Sequence, residues 1–168
     1  PFSKVDTGTA IEIFHGAHGR FETRSPVRTF TSYLIDKKPH LLAAYTCTPL
    51  VKFPLSKLKA GSKVQGTTIA ELGNRNRPLD MFVYTKQGKD YILMANSSRG
   101  VMKITTDDLA TQEPITKRVE GGKPKGQAYD TIERLKGIVQ LDRLNSSHAI
   151  VLVEGDGGVV DLSTVELP

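Results

Sequence analysis

Four short segments of this 168-residue chain share one apolar pattern, and their spacing limits what it can fold into. Ala10-Ile11-Glu12-Ile13 aligns with Leu50-Val51-Lys52-Phe53, Val101-Met102-Lys103-Ile104 and Val159-Val160-Asp161-Leu162. Each is apolar at its first, second and fourth positions and charged at its third. Successive copies lie 40, 51 and 58 residues apart, measured at the last member. Apolar runs this short, rich in β-branched residues, predict strands. A period of this size is that of a repeated supersecondary unit.

The repeat extends backwards from three of the four copies. Another apolar strand ends eight or nine residues earlier, at residues 41–45, 91–95 and 149–153, and a third precedes each of these, at 29–35, 79–84 and 137–141. Turn-forming residues separate the members of each pair: Asp36-Lys37-Lys38-Pro39, Gln87-Gly88-Lys89-Asp90 and Asn145-Ser146-Ser147. Five residues after three of the aligned segments comes a leucine (Leu58, Leu109, Leu167), where the first copy has His18. Each unit therefore reads as a three-stranded antiparallel meander. Weaker fourth strands are expected between units, at 63–69 and 115–119. The one short helical signal, two turns long, covers residues 130–136.

Composition narrows the class of partner. The longest aliphatic run, residues 149–153, falls far short of the roughly 18 residues a membrane helix needs, so no membrane span is expected. The net charge is +5, but the basic residues are scattered, with Lys57, Lys59 and Lys63 in one segment and Lys117, Arg118, Lys123 and Lys125 in another. No aromatics interleave with them as a base-stacking platform requires, which points to a solvated surface and no nucleic-acid partner. A single cysteine, Cys47, excludes an internal disulfide. The chain opens at Pro1 instead of Met. That suits a mature product after leader removal, which would place it in a secreted or periplasmic setting, and equally suits a portion of a longer polypeptide. Asn96-Ser97-Ser98 and Asn145-Ser146-Ser147 match the glycosylation pattern.

All-β meanders of three to four antiparallel strands at this period resemble the blades of a β-propeller, without a WD or kelch signature. The resemblance implies the end of one blade at residues 1–26, then blades at 27–72, 77–120 and 132–168, that is, about three blades plus an orphan strand. Propellers close with about four to eight blades. The implied ring would then be completed by a second polypeptide or a second copy of this chain. A stacked-sheet or sandwich arrangement is the competing architecture.

The resemblance also implies where function would sit. In propellers, the turns between second and third strands share a face with the links between blades, and that face and the channel bind ligands. Here it would collect residues 45–48, 96–99 and 154–157, with Arg24-Ser25-Pro26 and Asn74-Arg75-Asn76-Arg77-Pro78 as links. Arg28 and Asp80 follow the two aligned prolines at matching positions. Guanidinium groups pair with carboxylate or phosphate oxygens, so Arg24, Arg28, Arg75, Arg77 and Arg99, with Asn76 and Asn96, make a candidate site for a small anionic ligand. The competing reading pairs these arginines with Glu22, Glu71, Asp80 and Asp156 to fix the geometry between blades.

His15-Gly16-Ala17-His18 has the look of a metal half-site, with His15 and His18 able to share one metal ion. Following a third strand, it is expected on the face opposite the channel mouth. The alternative is that the first unit lacks a fourth strand, since only about a dozen residues lead to the next innermost strand, and that the loop reorients. Cys47 is expected to be a small, inert thiol, because no histidine is predicted near it. No Walker loop, GxSxG, HExxH or EF-hand sequence is present. Two functions follow as expectations. One is a portion of a propeller enzyme acting on a small anionic substrate, with the reaction open. The other is a non-catalytic scaffold for protein–protein contact.

Overall fold

The structure, a computed structural model, describes residues 8–168, so Pro1 and the expectation attached to it lie outside the described part. In chain order the strands are β1 (Ala10–His15), β2 (Arg20–Glu22), β3 (Val27–Ile35), β4 (Lys38–Tyr45), β5 (Pro49–Pro54), β6 (Lys63–Gln65) and β7 (Thr67–Glu71). Next come β8 (Pro78–Lys86), β9 (Lys89–Asn96), β10 (Gly100–Thr105), β11 (Lys125–Gly126) and β12 (Tyr129–Thr131). The last three are β13 (Ile138–Arg143), β14 (His148–Glu154) and β15 (Val160–Glu166). The fold is all-β, and among the described residues no helix is long and apolar enough to cross a membrane.

Three meanders form in succession: β3–β4–β5, β8–β9–β10 and β13–β14–β15, each antiparallel. Turn chemistry sets the register of the first two. Asp36 and Lys37 have φ of 48° and 60°, and Gln87 and Gly88 have 53° and 75°. Two consecutive left-handed residues make the tight hairpin whose twist matches its strands, pairing Ile35 with Lys38 and Lys86 with Lys89. β7 adds a fourth strand to the first meander and β12 adds one to the second.

Alternation along each strand sends neighbours to opposite faces, and both faces are used. Leu42 and Ala44 pack with Leu50, Ile69 and Leu72 against Met81, Ile92, Met94 and Met102 of the next sheet. Their neighbours Ala43 and Tyr45 face the other way, with Val51 and Phe53, onto Ile13 and Val64. Leu93, Ala95 and Val101 in turn cover Leu141, Ala149 and Val151 of the last meander. The first strands of the meanders, β3, β8 and β13, lie side by side. A carboxylate oxygen of Asp80 on β8 accepts the Leu141 amide of β13 at 3.2 Å. Among the described residues the sheets do not close into a ring.

Three local expectations are corrected. Residues 115–119 form no strand in their own sheet. The segment crosses back to β7 and the β1–β2 turn, where the Ile115 amide donates to the Thr68 carbonyl and the Val119 amide to the Gly16 carbonyl, both at 2.9 Å. Ile115 and Val119 bury themselves against Phe14, which satisfies them without a ladder, and β11 then pairs with β7. The helical signal at 130–136 begins instead as strand β12 and ends in a turn closed by Leu135 donating to Ile132. Finally, β1 does not run the way its aligned copy β5 does. It pairs parallel with β6, while β7, the continuation of β6, is antiparallel to β5. That reversal carries the end of β1 to the same edge as the β4–β5 turn.

Candidate metal centre

β1 ends at His15, and the tight turn to β2 places His18 beside it, with ring centroids 3.7 Å apart. Each imidazole presents Nδ1 to one carboxylate: His15 to Glu22 Oε2 at 3.0 Å and His18 to Glu22 Oε1 at 2.7 Å. An ionised carboxylate only accepts hydrogen bonds, so each ring donates Nδ1–H and, when neutral, offers the lone pair of Nε2. Burial raises the Glu22 pKa, but hydrogen bonds from Ser25, His18, His15 and Arg20 outweigh it and hold the group at about 2. It is ionised throughout the neutral range.

His15 is 2% exposed, and its Nε2 is buried with no hydrogen-bond partner. An orphaned ring nitrogen at that depth is unfavourable unless something binds it. Cys47 stands opposite. One ligand atom from each of His15, His18 and Cys47 lies within 4.8 Å of the other two. The expectations that the His15–His18 turn sits on the far face, and that no histidine approaches Cys47, are therefore both overturned. The cause is the reversed direction of β1.

The surroundings hold this arrangement from several sides. Cys47 sits in the β4–β5 turn with φ of 80°, a conformation non-glycine residues seldom adopt. Its amide donates to the Asn76 carbonyl at 3.1 Å. Glu71, buried at the end of β7, accepts the Gly16 amide at 2.7 Å and the Ala17 amide at 3.2 Å. That approach needs glycine, because a Cβ at position 16 would stand 2.8 Å from the Glu71 carboxyl carbon. From behind, Val119 takes the Gly16 carbonyl.

The donor set fits a transition metal. Two imidazoles and a thiol suit zinc, copper or a similar ion, and a carboxylate behind each imidazole is the usual way of fixing tautomer and ring orientation. Burial pushes the Cys47 thiol up, with the Glu71 and Glu22 charges adding to the effect. That is the wrong direction for a free nucleophile, whereas a bound metal deprotonates a coordinating thiol outright.

The arginine and asparagine candidates separate into three places. Arg75, Asn76 and Arg77 line a cleft of about 650 Å³ that also includes Cys47, Asn74 and Ser98. Arg99 and Asn96 border a neighbouring cleft of about 580 Å³ with Glu133, Lys136 and Glu154. Arg28 lies with Asp80 and Gln140 in a cleft along β3, β8 and β13. Arg24 is exposed and lines none of the three. None of the five pairs with a carboxylate among the described residues, so the ion-pair alternative is not what holds the meanders together.

The two asparagines do different work from that expected. Asn76 and Asn96 are buried and bonded to each other, and Asn96 Oδ1 also accepts the Arg77 and Ser98 amides at 3.3 and 3.0 Å. They brace the β7–β8 link from inside. The same burial shields Asn96 from sugar attachment in the folded chain, whereas Asn145 is exposed. Cys47 is the residue that sequence reasoning missed as a ligand, since nothing local to it signals the approach of β1. Searches of family models, curated proteins and solved structures found no match to this chain.

Proposed function

We propose that this chain is a metal-binding portion of a β-propeller protein, with one transition-metal ion held by His15, His18 and Cys47 and a small anionic ligand taken in the cleft beside it. The single observation that carries the reading is the convergence of the two imidazoles and the thiol within 4.8 Å, with Glu22 locking both rings. The propeller part is supported by the side-by-side first strands of three successive meanders. On this reading a second polypeptide, or a second copy, completes the ring. The ion supplies Lewis acidity, or electron transfer if it is copper. The chain's own residues orient it: Glu22 fixes the imidazoles, and Glu71 and Val119 fix the turn that presents them.

Elemental analysis of the purified protein after zinc, copper or cobalt loading and dialysis tests the metal. The expected result is one equivalent per chain, lost in Cys47→Ser and in His15→Ala. Wild-type protein that retains no metal sinks the reading.

A second reading, a scaffold for protein contact, draws on a different observation. The outer face of the last meander leaves Val160 and Leu162 exposed, Leu162 at 69%, with Ile150 and Leu152 half-buried beside them. Native mass spectrometry of material from its source separates the two. A partner chain without metal favours the scaffold, and metal in the assembled protein favours the first reading.

A further inference from the structure

We propose that the fourth coordination position of the ion is filled by an oxyanion, a carboxylate or phosphate group, whose remaining oxygens are held by Arg75 and Arg77. This rests on the metal reading above. Among the described residues no fourth histidine, cysteine or carboxylate joins the set. The nearest carboxylates are occupied: Glu22 by His15, His18, Arg20 and Ser25, and Glu71 by the Gly16 and Ala17 amides. A zinc-type ion with three protein ligands keeps one position for solvent or substrate.

Cys47 belongs both to the ion's ligand set and to the lining of the 650 Å³ cleft, so the cleft adjoins the ligand set through Cys47. That volume suits a small molecule. Its lining carries two guanidinium groups and no carboxylate, and neither Arg75 nor Arg77 has an acidic partner among the described residues. The backbone that presents them is fixed. Arg75 is held at φ of 63°, and the Arg77 amide is bound to the buried Asn96 side chain. A divalent ion with one thiolate and two neutral imidazoles adds further positive charge. An anion with at least two oxygens can touch metal and arginines together.

Cobalt(II)-loaded protein gives two separate readouts, a thiolate-to-cobalt charge-transfer band for the ion and ligand-field bands for its fourth position. Inorganic phosphate and acetate are the probes. Saturable change in the ligand-field bands is expected, with the tighter of the two anions naming the group. The Arg75→Ala/Arg77→Ala double variant is expected to weaken that binding by about tenfold or more while leaving the charge-transfer band intact. Ligand-field bands that neither anion moves overturn the proposal and leave the metal reading standing, as does equal anion affinity in the double variant. Absence of the charge-transfer band sinks the metal reading and this one with it.

Discussion

The two ends of the sheet series are finished in opposite ways. At the N-terminal end, β1, β2 and β6 cover the first meander and the segment up to 126 folds back on it, with Ile115 and Val119 on Phe14 and Lys125 paired in the β11–β7 ladder to the buried Glu71. At the C-terminal end, β13, β14 and β15 form a plain three-stranded meander, with one face packed and the other partly exposed. Regularity and chemistry part company here. The repeat builds the scaffold, and buried polar groups collect where the repeat is broken by a parallel strand and a crossing loop. Buried polar networks are costly unless each member is satisfied, and at the irregular end the buried His15 Nε2 has no partner.

Mutations at the two ends sharpen this contrast, beginning with the largest effect. Leu42→Ala, in the face between the first two meanders, is expected to cost about 2–5 kcal/mol in denaturant unfolding. Glu22→Gln keeps the shape of the side chain but lets only one oxygen accept an imidazole. It is expected to weaken metal affinity by about 10- to 100-fold in a chelator competition. It is also expected to lower the stability of the metal-free protein at neutral pH, because the bonds that hold Glu22 at about 2 favour the fold where that group is ionised. Gly16→Ala pushes against Glu71 and is expected to destabilise by about 1–2 kcal/mol, with hydrogen-exchange protection lost at Ala17 and retained in β14. Leu162→Ala, on the partly exposed face, should change the stability of the isolated chain by less than about 0.5 kcal/mol. A large loss there would mean that the face is covered in the isolated chain, and the contrast between the two ends would fall.

Much of the scaffold was legible because it is written locally. Strand alternation and the turn residues at 36–37 and 87–88 specify hairpins between neighbours, and the apolar pattern at both faces follows from the period of two. The site was legible in halves. His15 and His18 stand close in sequence and were readable as a pair, but Cys47 meets them only because β1 adds to β6 in parallel, a pairing across some 50 residues that no local pattern encodes. Residues 115–119 misled for a related reason. Their apolar spacing reads as a strand, yet Ile115 and Val119 spend it on Phe14 of a different sheet. The arginines were identifiable as residues but not as groups, because the clefts are made by loops from separate meanders.

The Val119 amide on the Gly16 carbonyl has a consequence for how the protein is made. A chain leaving the ribosome presents His15 and His18 about a hundred residues before the segment that latches their turn. Domains generally fold from the N-terminal end as they emerge, at about 5–20 residues per second. For several seconds, then, both imidazoles and Cys47 exist in a nascent chain without their backing strap. On the metal reading proposed above, capture in the geometry described here would follow synthesis past residue 119, which would make the ion a late arrival and the crossing segment its timekeeper.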